Sequence, residues 1–153
     1  MISLIKKFFL HSKDLNSEKS SFKKLKKKKS ILLIFSAIEN YSESSEIRYV
    51  GGCIRKILNN ENVDDIDFAV NLKPNECIEV LKKNNIKYYE TGVDHGTLTA
   101  IIENDKFEIT SLRKDLITDG RHAKVSFSRD WYVDASRRDF TINSIYSDID
   151  GNL

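Results

Sequence analysis

Asp65-Ile66-Asp67-Phe68-Ala69-Val70 sets two carboxylates one residue apart at the mouth of an apolar run, and Tyr49-Val50-Gly51-Gly52 precedes it. Side chains of a strand alternate between its two faces, so Asp65 and Asp67 project from the same side and can converge on one divalent cation. An apolar strand gains nothing from two like charges on one face. The alternative is a surface turn, because Asn59-Asn60-Glu61-Asn62 and Asp64 also read as a polar loop that ends just before a strand.

Outward from this stretch, the pattern alternates between helix and strand. Residues 47–50 read as a short strand, and the two glycines open a helix that runs to Leu58. Upstream, Ile31, Leu32, Ile34, Phe35 and Ile38 fall at helical spacing, and Ser30 is placed to cap a helix over 30–41. Downstream, Pro74 marks a helix start, with Cys77, Ile78, Val80 and Leu81 as its apolar face. Residues 86–89, 97–102 and 106–110 read as strands, the last two joined by a turn at Glu103-Asn104-Asp105. The polar stretch 115–129, with Thr118-Asp119-Gly120-Arg121 as a turn signal, predicts a mobile loop; 130–142 reads as a helix and 144–147 as a final strand. Together these elements predict an α+β fold, a small mixed sheet with flanking helices.

At 153 residues the chain is one domain, long enough for a core but short for an enzyme that must also grip a large substrate. Its formal charge of +2 hides a strong asymmetry: residues 1–29 carry ten lysines and two acids, and the remainder is acidic. This predicts a basic flexible leader over 1–29 ahead of a domain over 30–153. The leader's lysines suit an RNA backbone or an anionic membrane surface, and equally a solvated arm. Its apolar segments are too short to span a bilayer, and no secretory signal pattern is present, which predicts a cytoplasmic protein. Cys53 and Cys77 lack CxxC spacing and read as free thiols.

Four elements carry chemistry in order: the glycine pair, the Asp65/Asp67 pair, Phe107-Glu108-Ile109-Thr110 and Arg137-Arg138-Asp139. A helix that opens on glycine offers unpaired N–H groups and a positive dipole end to an anion, so Gly51 and Gly52 form a candidate phosphate seat. Arg55, one helical turn on, brings a cation to the same phosphates. Paired glycines also make plain turns, and Arg55 also reads as a surface residue. With Asp65 and Asp67 to hold Mg²⁺, the set contains the parts of phosphoryl or nucleotidyl transfer.

Tyr49-Val-Gly-Gly-Cys-Ile-Arg55 followed by Asp65-Ile-Asp67, then His95-Gly-Thr97, Phe107-Glu-Ile-Thr-Ser-Leu-Arg113, Asp119-Gly-Arg-His-Ala123 and Arg137-Arg-Asp-Phe-Thr-Ile-Asn143, resembles the head domain of the class II CCA-adding tRNA nucleotidyltransferase and bacterial poly(A) polymerase family. The resemblance covers residues 47–150 with six motifs in order. It implies a nucleotidyltransferase palm of the DNA polymerase β type and two-metal transfer of nucleotides from ATP or CTP to an RNA 3′ end, such as that of tRNA. By matching positions, Asp65 and Asp67 are the expected Mg²⁺ ligands, and Gly51, Gly52, Arg55 and Arg138 are expected on the nucleotide. Glu108 is the expected third catalytic carboxylate, with an exposed strand acid as its alternative. Asp139 is expected to brace the helix by a salt bridge and Asn143 by backbone hydrogen bonds. Arg121 and His122 fall in what the family uses as a flexible loop near the site.

Two departures from the family qualify this expectation. Lys56 stands where the family has Asp after the motif arginine, which frees Arg55 to reorient or adds positive potential. The family's neck, body and tail have no counterpart up to Leu153, so base selection and tRNA grip are expected from elsewhere, such as a separate chain supplying neck and body. The same residues also fit a truncated or degenerate head that binds nucleotide or RNA without turnover. More weakly, they fit a minimal nucleotidyltransferase acting on a protein partner.

Overall fold

The structure is a computed structural model that describes residues 15–116, 124–139 and 141–153, with side chains from Ser20 onward. At its centre β1 (Ile47–Val50) and β2 (Ile66–Val70) pair antiparallel, which sets Val50 opposite Asp67. On its other edge β2 runs parallel to β5 (Asp105–Ser111), with Asp67 beside Glu108. The hairpin predicted around Glu103 is present: β4 (Thr97–Ile102) pairs antiparallel with β5, and β3 (Lys87–Gly92) with β4. With β8 (Tyr146–Ser147) on the far side of β1, the order β3-β4-β5-β2-β1-β8 makes a six-stranded mixed sheet.

The pleat sorts the sheet into two faces. Ile66, Phe68 and Val70 of β2 point into the main core, which they share with four helices: α1 (Leu15–Lys26), α2 (Lys29–Glu39), α3 (Gly52–Leu58) and α4 (Pro74–Lys83). Tyr49 sits at its heart, its ring centroid 5.2 Å from both Phe35 and Phe68 and 5.8 Å from Phe22. Ala69 and Val50 face the other way, into a smaller cluster with Leu112, Trp131 and Tyr146 under α5 (Trp131–Ser136). Asp67 shares that second face. Asp130 caps α5 by accepting hydrogen bonds from the backbone N–H groups of Tyr132 and Val133 at 2.8 and 3.3 Å.

Four sequence expectations change here. Ser30 is not a cap: α2 begins at Lys29, and the buried Ser30 hydroxyl donates to Asp105 Oδ2 at 2.5 Å. The leader is not flexible throughout, because residues 15–26 are helical and Phe22 and Leu25 are 2% and 8% exposed in the core. The lysine density masked this apolar i, i+3 pair, whose burial outweighs the charge around it. The stretch expected as a loop contains a separate hairpin, β6 (Arg113–Leu116) against β7 (Lys124–Phe127), whose paired residues alternate too weakly in hydropathy to read as strands. Its expected turn, with Arg121 and His122, lies outside the described residues. The helix expected over 130–142 ends at Ser136, and a 3₁₀ turn follows over Thr141–Ser144.

Cys53 and Cys77 are free and buried, as expected. Among the described residues no helix is long and apolar enough to cross a membrane. Because Phe22 belongs to the core, Phe22→Ala should lower unfolding free energy by about 3 kcal/mol. Urea denaturation followed by circular dichroism checks this, and an unchanged midpoint would return α1 to the status of a solvated arm.

Candidate active site

The site has two halves, one acidic and one basic, built on the sheet face away from the main helices. Asp67 is half-buried on β2, and the parallel register puts Glu108 directly beside it. Asp65 stands just before β2, exposed, and two residues back along the chain it shares the side of Asp67. All three carboxylates, with Thr99 and Lys106, line one cleft. Burial pushes the Asp67 carboxyl above the usual carboxylate range, and the negative charges of Glu108 and then Asp65 push it further, while Arg138 pulls it back.

The basic half is a neighbouring cleft of about 490 Å³. Gly51, Gly52 and Asn143 form part of its wall, and Arg113, Arg137 and Arg138 supply its cations. Gly51 joins the halves. Its φ of +73° with ψ of −132° is a conformation open to glycine and strained for any other residue. A Cβ there would lie 3.8 Å from Asp67 Oδ2, so the turn passes directly against the acidic cleft. Gly52 then starts α3, whose first-turn N–H groups have no intrahelical acceptor. Arg55 is exposed and folds back toward Gly52, its Nη2 3.8 Å from where a Cβ on that glycine would stand. It lies beside the basic cleft rather than in its wall. The neighbouring Lys56, where a family aspartate was expected, instead pairs with Asp64 at 3.2 Å.

The residue that organises the basic half is Asp134, which sequence reasoning missed. It is 0% exposed and accepts from Arg137 Nε at 2.9 Å, from Arg138 Nη2 at 3.1 Å, from the Tyr146 hydroxyl at 2.6 Å and from the Arg113 backbone N–H at 3.1 Å. Burial by itself would raise its pKa; the Tyr146 hydroxyl, both arginines and the Arg113 N–H outweigh it and hold the carboxyl below its ordinary value. The salt bridge expected from Asp139 is therefore made by Asp134. The reason is spacing: α5 ends before Asp139, whereas i, i+3 and i, i+4 place Arg137 and Arg138 over Asp134. Asp139 and Asn143 line the cleft instead, and the backbone brace expected of Asn143 comes from Ser144, whose hydroxyl donates to the Ala135 carbonyl at 3.0 Å. The Asp134 spacing is legible in the sequence, but without burial it looks like one more surface ion pair. Arg113 was quoted only as part of a motif. It reaches the cleft because its side chain is held by Asp115, 3.2 Å from Nε, and by the His95 carbonyl.

Removing a partner from a buried ion pair leaves charge uncompensated, so Asp134→Asn should cost about 3 kcal/mol of stability. Because the native pKa of Asp134 is depressed, its contribution is present above about pH 4 and is lost as pH falls through the lower native value. Urea midpoints measured across the acid range should fall for the wild-type chain and less steeply for Asp134→Asn; parallel acid limbs would contradict the assignment.

With this geometry in place, likeness to known proteins can be weighed. The sequence profile of the poly(A) polymerase head domain matches residues 47–153. The human mitochondrial CCA tRNA nucleotidyltransferase 1 is 46% identical over 112 residues, 72% of this chain and 26% of that protein. The crystal structure of the Bacillus stearothermophilus CCA-adding enzyme in complex with CTP superposes with a TM-score of 0.64 at 26% identity, covering 81% of this chain and 29% of that one. A tRNA nucleotidyltransferase solved with a primer tRNA and an incoming ATP analog superposes with a TM-score of 0.51 at 25% identity, covering 69% of this chain and 28% of that one. The chain thus spans 26% to 29% of the length of these relatives. The α+β fold expected from the sequence is the nucleotidyltransferase fold of those enzymes, and the chain belongs to the poly(A) polymerase head-domain family.

Proposed function

We propose that this domain carries the catalytic centre of an RNA nucleotidyltransferase that adds nucleotides from ATP and CTP to an RNA 3′ end, with the end of tRNA as the favoured acceptor. The observation that carries this reading is the register of β2 and β5, which sets Asp67 beside Glu108 with Asp65 in the same cleft and the Gly51 turn against Asp67. The relatives' names, CCA tRNA nucleotidyltransferase and CCA-adding enzyme, support tRNA as the acceptor.

The acidic half fits a divalent cation. Three carboxylates share one cleft, and Asp67 is pushed upward first by burial and then by the like charges of Glu108 and Asp65. Asp65 and Asp67 would hold Mg²⁺, which lowers the pKa of a bound hydroxyl and stabilises charge on leaving phosphate oxygens. The triphosphate lies across Gly51 and Gly52, where first-turn N–H groups of α3 meet its oxygens. Arg138, fixed by Asp134, and Arg55 neutralise its charge. The RNA 3′ oxygen attacks the α-phosphorus in line, Glu108 receives the hydroxyl proton, and the bond to the β-phosphate oxygen breaks to release pyrophosphate. The relatives extend well beyond the part matched by this domain, and base choice and tRNA grip belong to regions outside the head.

The test is a transfer assay with tRNA lacking its terminal CCA, Mg²⁺, and labelled CTP and ATP given singly and together, with and without a neck and body chain. Ordered incorporation of both nucleotides supports CCA addition, and serial incorporation of ATP alone supports polyadenylation. Asp65→Ala and Asp67→Ala should each reduce transfer by at least roughly a thousandfold while leaving the melting temperature close to that of the wild-type chain. Undiminished transfer in either variant would sink the assignment of that carboxylate.

A further inference from the structure

A run of lysines lies outside both clefts, where two helices meet. Residues 23–29 contain six lysines, and α1 ends at Lys26 while α2 starts at Lys29, so the run is a fixed corner between two helices. Burial of Phe22 and Leu25 settles which side of α1 faces the core and leaves Lys23, Lys24 and Lys27 exposed. Among the described residues Lys26 pairs with Asp150 and Lys28 with Asp105, whereas Lys23, Lys24, Lys27 and Lys29 pair with no carboxylate. Such a concentration of like charge, held in place by a core contact, raises the local density of anions around it.

Asp105 ties this corner to the site. It opens β5, where it takes the Ser30 hydroxyl at 2.5 Å and Lys28 Nζ at 3.4 Å. The next residue, Lys106, points to the opposite face of β5 and lines the acidic cleft with Asp65, Asp67 and Glu108. At about 3.3 Å per residue, Asp105 stands roughly 10 Å along the strand from Glu108. The path from the helix corner to the cleft therefore runs from Lys28 past Asp105 and around the β4–β5 turn to Lys106. A flexible anionic strand can follow that path from the corner into the cleft.

We propose that the lysine corner and Lys106 form a track for the sugar-phosphate backbone of a single-stranded RNA end, whose 3′ hydroxyl then lies among the carboxylates. This rests on the nucleotidyl-transfer reading above and names the surface that holds the acceptor strand. Leu32 and Leu33, 45% and 42% exposed on the following helix, are the reason to include a membrane comparison.

The test measures binding of a short 5′-fluorescein single-stranded RNA to the full chain by anisotropy over a salt series, beside sedimentation with phosphatidylserine vesicles. The triple variant K23Q/K24Q/K27Q should bind RNA roughly tenfold more weakly at low salt. Its log–log salt slope should be shallower by about 2, three phosphate contacts at about 0.7 each. Lys106→Gln should weaken binding less, and melting temperatures should stay unchanged because these lysines are on the surface. A salt slope retained in the triple variant overturns the track, as does vesicle binding that exceeds RNA binding. Asp67→Ala read in the same binding assay keeps the two ideas apart: the track is judged by RNA bound, the transfer reading by nucleotide incorporated.

Discussion

Everything in this domain hangs on the pleat of β2. A strand must send successive side chains to opposite faces, and β2 is flanked on both edges, by β1 and β5. Ile66, Phe68 and Val70 therefore anchor the helix layer, and Asp67 is forced onto the other face. A one-residue slip would bury the carboxylate among Phe35, Tyr49 and Phe107 and expose the aromatic core, which makes the register costly to change. The same register hands Glu108 to Asp67 on one edge and brings the Val50 end of β1, and so the Gly51 turn, against Asp67 on the other. Core and site are thus two readings of one hydrogen-bonded ladder.

The two halves of the site solve their electrostatics differently. In the acidic half, burial and the like charges of Glu108 and Asp65 push Asp67 upward, and Arg138 opposes that push. In the basic half the arginines are held before any ligand arrives, because Asp134 takes up Arg137 and Arg138 from below. A buried carboxylate of this kind is tolerated only with its lone pairs filled, and Tyr146 and the Arg113 N–H complete the set. Two arginines fixed in this way lose less freedom on meeting a triphosphate than flexible surface residues would. The small cluster of Trp131, Tyr146, Leu112, Val50 and Ala69 is the platform beneath them.

Much of this was legible in the chain. The Asp65/Asp67 alternation, the Gly51-Gly52 opening of a helix, the Pro74 start and the turn at Glu103 each depend on local rules, and each has its place in the structure. What local rules misjudged were segments whose state depends on distant partners. Residues 15–26 looked like a solvated arm because lysines dominate them, yet Phe22 packs on Tyr49 and under Gly151. Residues 113–116 and 124–127 lacked alternation because the described residues of this strand pair do not belong to the main core. Ser30 had the residue type of a cap, but the β4–β5 turn offered its hydroxyl a better acceptor in Asp105.

By itself, then, the sequence determined which residues share a face, where the chain must turn, and which side chains carry the charge that phosphate chemistry needs, because dihedral preferences and hydrophobic periodicity act over a few residues. Tertiary structure alone decided that Glu108 stands beside Asp67, that Asp134 rather than Asp139 holds the arginines, and that a lysine corner is tied to the rim of the carboxylate cleft. The first and last of these relations join residues tens of positions apart, and the second depends on Asp134 being buried against Tyr146 and the Arg113 N–H. Only packing other elements onto both faces of a single sheet brings these residues together.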